Sequence, residues 1–169
     1  MNLSSFGFRT IEQTMEIKPD GARRLAAQLR TPASFSSLWS VLTDYETLSE
    51  FIPNLISSDV ISKEGNMVQL RQVGSQDFFG LKFSAEVILD LEENQEDGLI
   101  NFELIKGDFQ RFEGCWRIKE TNIISENSLI YDLTVKGCNW MPISMIEKRL
   151  RVDLSTNLLA VNKQALSPN

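Results

Sequence analysis

The ten residues DYETLSEFIP, positions 44–53, constrain this chain more than any other stretch, because they join two short helical patterns inside a sequence otherwise rich in strand signals. Before them, Phe35, Leu38, Trp39 and Leu42 recur at i, i+3, i+4 and i+7, one apolar face of a 3.6-residue period. Pro32 suits the first turn of that helix, where its missing N–H needs no partner. Leu48, Phe51 and Ile52 form the second pattern, with Asp44 placed to cap its N-terminus and Pro53 placed to end it.

Strand signals surround this pair. Residues 11–18 alternate as an edge strand does, and Pro19-Asp20-Gly21 reads as a turn. In 22–31, Leu25, Ala27 and Leu29 face one way while Arg24, Gln28 and Arg30 face the other. Six more strands are expected at 58–63, 66–74, 80–91, 99–106, 109–120 and 128–137. Gly107-Asp108 has the chemistry of a two-residue hairpin turn, and the acidic 92–98 segment reads as a solvated loop. Consecutive strands joined this way make an antiparallel meander with one strongly apolar side. A last pattern, Ile143, Ile146, Leu150, Leu154, Leu158, Val161 and Ala165, predicts a helix over 143–166, about 36 Å long and able to cover that side.

Composition narrows function by exclusion. With 169 residues, 42% of them hydrophobic and 24% charged, the chain is expected to be one soluble globular domain, 22–169, preceded by an extension, 1–21, that adds an extra edge strand. No apolar run approaches the roughly 18 residues of a membrane span, and residues 1–20 lack a signal or transit pattern, so a cytoplasmic protein is expected. A net charge of −6 disfavours a DNA-binding surface. The chain has no histidine, which removes the commonest general base and metal ligand together. Cys115 and Cys138 fit no zinc spacing and read as structural, and no phosphate-loop, dinucleotide or serine-hydrolase fingerprint is present. Neither a cofactor nor a metal nor a catalytic residue is therefore expected. Lys148, Arg149 and Arg151 read as a solvated basic face with a Glu147–Arg151 pair at i, i+4, or as a contact for a lipid headgroup or partner.

Three segments carry a family resemblance: LWSVLTDYETLSEFIPNL at 38–55, GDFQRFEGCWRI at 107–118, and MPISMIEKRLRVDLSTNLLAV at 141–161. Together they resemble the polyketide cyclase/dehydrase and lipid-transport group of the START-like superfamily, which includes the coenzyme Q-binding proteins, and look closest to cyanobacterial and plastid members. The resemblance covers residues 22–166. It implies an α+β helix-grip fold: a curved antiparallel sheet of about seven strands, two short helices after the first, and a long C-terminal helix gripped by the sheet. It also implies a cavity between sheet and helix for a hydrophobic small molecule such as a lipid, a quinone or a polyketide. The expected role is non-catalytic binding or transport of that ligand. A cyclase or dehydratase-type enzyme and a protein- or ribosome-associating module are the alternatives, and transient membrane contact stays open.

Candidate cavity residues are Phe83, Phe102, Leu104, Trp116, Tyr131 and Leu150. Trp116 belongs to a Phe112-x-Gly114-x-Trp116 pattern in which the glycine admits close approach of a helix or ligand, or bends the sheet. Tyr131 sits on an apolar strand face, so its hydroxyl needs a partner: a ligand, or the backbone if it is an ordinary core tyrosine. Access is expected at an end of the long helix rather than through a continuous sheet. Asp44 and Tyr45 on one side and Trp140 and Met141 on the other are the gate candidates, with Trp140 alternatively an anchor for the first helical turn and Asp44 alternatively a cap.

Overall fold

Glycine- and asparagine-bearing turns between alternating segments drive adjacent strands to pair antiparallel, and every pair in the sheet does so. The computed structural model describes residues 11–78 and 80–168, with Phe78 described by its backbone alone. Residues 1–10, the first half of the expected extension, lie outside the described residues.

Eight strands form one sheet: β1 Glu12–Ile17, β2 Arg23–Thr31, β3 Leu55–Glu64, β4 Met67–Phe78, β5 Leu81–Asn94, β6 Leu99–Gly107, β7 Phe109–Glu120 and β8 Asn127–Gly137. Their order is β1-β2-β8-β7-β6-β5-β4-β3, so the chain runs a meander from β3 to β8 and closes it against β2. Between β2 and β3 lie α1 Phe35–Thr43, a 3-10 turn Tyr45–Thr47, and α2 Leu48–Phe51. The last element, α3 Ile143–Leu166, crosses the concave face. This is the helix-grip arrangement, with β1 as an added edge strand.

Local chemistry departs from expectation at five places. Pro32 precedes the first helix rather than opening it, because Ser34 is the cap, its Oγ accepting from Ser37 N–H at 3.1 Å. Asp44 does not cap with its side chain. It ends α1, its N–H donating to Ser40 O, and its own carbonyl accepts from Thr47. Gly107-Asp108 is no simple hairpin turn: Gly107 stays paired with Val87, and Asp108 continues that ladder by exchanging hydrogen bonds with the Glu86 backbone. β6 and β7 consequently part company beyond Glu103–Glu113, so the sheet is not continuous there.

The acidic 92–98 segment is not wholly loop, since β5 runs on to Asn94 and carries Glu92 and Glu93. Finally, Glu147 pairs with Arg23 of β2 at 2.6 Å rather than with Arg151. The helix stripe is real but displaced at its start: Leu150, Leu154, Leu158 and Val161 are buried, whereas Ile143 is 57% exposed. At the other end Asn162 is buried and accepts a hydrogen bond from Thr31, which ties α3 to β2.

Candidate functional site

Side chains two apart on a strand share a face, so the concave side collects Val87, Leu89 and Leu91 of β5, Ile100 and Phe102 of β6, and Leu133 and Val135 of β8, all buried. Opposite them stand Leu150, Leu154 and Val161 of α3. The two layers do not close completely, and a cavity of about 300 Å³ lies between them. Its space arises partly where side chains are small: Gly74 of β4 pairs with Ala85 of β5 on its wall.

Of the residues expected to line such a space, Phe83, Phe102, Trp116, Tyr131 and Leu150 do so. Leu104 packs against the core without lining the cavity. Tyr45, Trp140 and Met141 also border it, while Asp44 is exposed and does not. Tyr45 is buried and fixed, its hydroxyl donating to Glu93 Oε1 at 2.7 Å, and Lys63 Nζ approaches the same oxygen at 3.3 Å. Burial and the Glu93 carboxylate both push the Tyr45 phenol well above its ordinary pKa. Met141 is buried, its side chain packing over Gly137, whereas Trp140 is 57% exposed.

One wall is aromatic from end to end. Ring centroids run Phe109 to Phe112 at 5.4 Å, Phe112 to Phe102 at 5.9 Å, Phe102 to Tyr131 at 6.2 Å, and Tyr131 to Trp116 at 4.1 Å. The last pair is stacked, 7° from parallel. Gly114 makes this packing feasible, because a Cβ there would stand 1.9 Å from Asp132 O and 3.0 Å from the Phe102 ring.

The polar side of the site lies outside the expected set. Asp153 of α3 borders the cavity and is held by Arg149 Nη2 at 2.6 Å and by Gln76 Nε2 of β4 at 3.1 Å. Burial raises its carboxyl above the ordinary range, against a partial opposing pull from Arg149. Burial, and secondarily the Asp153 charge, raise the Tyr131 phenol as well. The Tyr131 hydroxyl has no hydrogen-bond partner among the described residues, nor do Gln76 Oε1 and Arg149 Nε, all from cavity-lining residues. The available signal was a break in the helix stripe, since Asp153 and Asn157 fall on the same face as Leu150, Leu154 and Leu158.

Lys148, Arg149 and Arg151 do not make a single basic face. Arg149 turns toward the cavity, and only the other two are exposed. Among the described residues no group of three or more Cys, Asp or Glu is arranged to hold a metal ion, and no helix is long and apolar enough to cross a membrane.

This geometry has known counterparts. The chain is similar to a protein of Thermus thermophilus with a TM-score of 0.72 at 21% identity, covering 83% of this chain and 95% of that one. It is also similar to a STAR-related lipid transfer protein from Xanthomonas axonopodis, with a TM-score of 0.73 at 13% identity, covering 92% and 99% of the two chains. Zhui aromatase/cyclase from a Streptomyces species matches with a TM-score of 0.68 at 13% identity, over 86% and 92%. At these identities the likeness establishes the fold. No curated protein matches the chain by sequence. The model of one family does, over residues 31–162, which is more than half of the chain. The chain therefore belongs to the polyketide cyclase / dehydrase and lipid transport family.

Proposed function

We propose that the protein binds or carries a hydrophobic small molecule in the cavity between the sheet and α3, without changing it chemically. The observation that carries this reading is the cavity itself, about 300 Å³ of space under a predominantly apolar lining. The cavity is partly open to solvent, so water occupies it when no ligand does, and displacing that water from an apolar lining favours a hydrophobic ligand. The ligand-holding unit is residues 22–169, with 1–21 an extension, acting in the cytoplasm and related most nearly to the coenzyme Q-binding and cyanobacterial or plastid members of the superfamily. Phe83, Phe102, Trp116, Tyr131 and Leu150 contact the ligand, and Trp140 with Met141 gates it. Tyr45, tied to Glu93, is the fixed side of that gate.

A second reading, a cyclase-type enzyme, is favoured by the half-buried Asp153 carboxyl and the Tyr131 hydroxyl, unpartnered among the described residues, two groups with raised pKa values bordering one cavity. Native mass spectrometry of gently purified protein, followed by organic extraction, tests the first reading. It predicts a 1:1 complex that releases an unaltered hydrophobic compound and takes it up again. Turnover of a reactive polyketone would favour the second, and a ligand-free chain that takes up no hydrophobic probe would refute both.

A further inference from the structure

On the convex side of the sheet, away from the cavity, Arg24 pairs with Asp132, Arg71 with Glu86 and Arg111 with Glu113. Arg30 and Arg117 have no such partner, and they stand at one corner with Lys119. Arg30 of β2 and Lys119 of β7 lie directly across from Ser128 of β8, one on each side, and Arg117 lies across from Ile130, the next residue of β8 on that face. Opposed residues in paired strands share a face. The alternate residues Leu29, Ile118 and Leu129 are buried in the core, so Ser128 and the three cations belong to the outer face. Arg30, Arg117 and Lys119 are exposed, and none of their side chains has an ion-pair or hydrogen-bond partner among the described residues. Neighbouring like charges repel, and no carboxylate relieves them: Asp132, the only one in β8, is held by Arg24 at 2.6 Å, and Glu12 of the edge strand, across from Gln28, forms no ion pair. Ser128 is the second, independent observation. It is 3% exposed, yet its Oγ has no hydrogen-bond partner among the described residues. A buried hydroxyl left unpaired is costly, and a ligand that accepts its proton removes the cost. A carboxylate could balance one of the three cations. A phosphate monoester, with a charge of about −1.5 to −2 and three acceptor oxygens, balances most of them and can accept from two arginine forks, a lysine and a serine together.

We propose that the outer face of β2, β8 and β7 carries an anion site in which Arg30, Arg117, Lys119 and the Ser128 hydroxyl hold a phosphate monoester, either a soluble one or the headgroup of a phospholipid such as phosphatidic acid. The site lies across the sheet from the cavity, so it stands or falls independently of the ligand-carrying reading. Amide signals of the isotope-labelled full chain, followed during titration with glycerol 3-phosphate and with its monoanionic counterpart glycerate, are the first arm of the test. Saturable shifts centred on residues 28–30, 117–119 and 128–130 are expected, with glycerol 3-phosphate bound about two- to tenfold more tightly than glycerate. Arg30→Gln and Arg117→Gln should each weaken it about two- to fivefold, the range of one exposed ion pair. Ser128→Ala should weaken it about three- to tenfold, the range of one net hydrogen bond. Lys106→Gln, which removes the same charge from an exposed position in β6, should leave the affinity unchanged. Sedimentation with phosphatidylcholine vesicles, with and without phosphatidic acid, is the second arm. Binding of glycerol 3-phosphate in solution assigns a soluble monoester; binding only to the phosphatidic acid vesicles, reduced by Arg30→Gln and Arg117→Gln, assigns a headgroup; either supports the site. Glycerate binding as tightly as glycerol 3-phosphate, binding that the two arginine variants leave unchanged, or binding to neither the soluble phosphate nor the phosphatidic acid vesicles overturns it.

Discussion

Filling the cavity should stabilise the protein and disable it together. Ala85 is the site of choice, because it lines the cavity on β5 and its cross-strand partner is Gly74, whose own missing Cβ would meet nothing nearer than Asn54 O at 3.6 Å. Ala85→Leu adds three carbons to that space. At about 0.8 kcal/mol per buried carbon the gain is at most about 2.4 kcal/mol. Some of this is lost to imperfect fit, so a gain of about 1–2.4 kcal/mol is expected. For a chain of this length, that corresponds to a rise of about 2–10 °C in Tm. Urea unfolding of extracted, ligand-free protein measures the gain, and calorimetric titration with 1-naphthol, a small hydrophobic probe, should show affinity falling at least about tenfold. A destabilised variant that binds 1-naphthol as wild type does would refute the reasoning, since the added carbons would then have met packed atoms rather than space.

Other outcomes follow from particular groups. Gly114→Ala should cost about 1–3 kcal/mol or more by overpacking, because its Cβ would press on Asp132 O and the Phe102 ring; chemical denaturation checks this, and a neutral effect would contradict the geometry. Asp153 has a folded-state pKa above its unfolded value of 3.8, so the folded state holds its proton more tightly. Its contribution to stability is present below pH 3.8 and lost as pH rises through the raised folded value. Wild type should therefore gain stability relative to Asp153→Asn on acidification toward about pH 4, and a pH-independent difference would contradict the burial argument. Trp140→Ala, at a residue 57% exposed, should change stability by less than about 0.5 kcal/mol while altering stopped-flow association and dissociation rates; unchanged rates with a lowered Tm would make Trp140 an anchor instead.

What the sequence discloses follows from the range of each interaction. The limits of α3 and β7 are local: Pro142 precedes a stripe at three- and four-residue spacing, and β7 alternates from Phe109 to Glu120, so both elements fall where the pattern places them. The concave apolar residues are legible for the same reason. Partners distant in sequence are not. Tyr45 and Glu93 are 48 residues apart, and nothing in the acidic run 92–98 signals that one of its carboxylates continues a strand to receive a tyrosine. Gln76 and Asp153 are 77 apart, and Arg149 beside Lys148 resembles an ordinary solvated cluster until the helix is seated on the sheet. The parting of β6 from β7 depends on Asp108 bonding Glu86 in a third strand, which a two-residue turn signal cannot foretell.

Intermolecular nuclear Overhauser effects between bound 1-naphthol and methyl-labelled protein test the central claim most directly, because they report where the ligand lies. Contacts to Ala85, Leu133 and Leu154, which face one another across the cavity from β5, β8 and α3, are the predicted result. Contacts confined to the exposed Ile17, Ile61 and Ile124, with none to those three, would contradict the account.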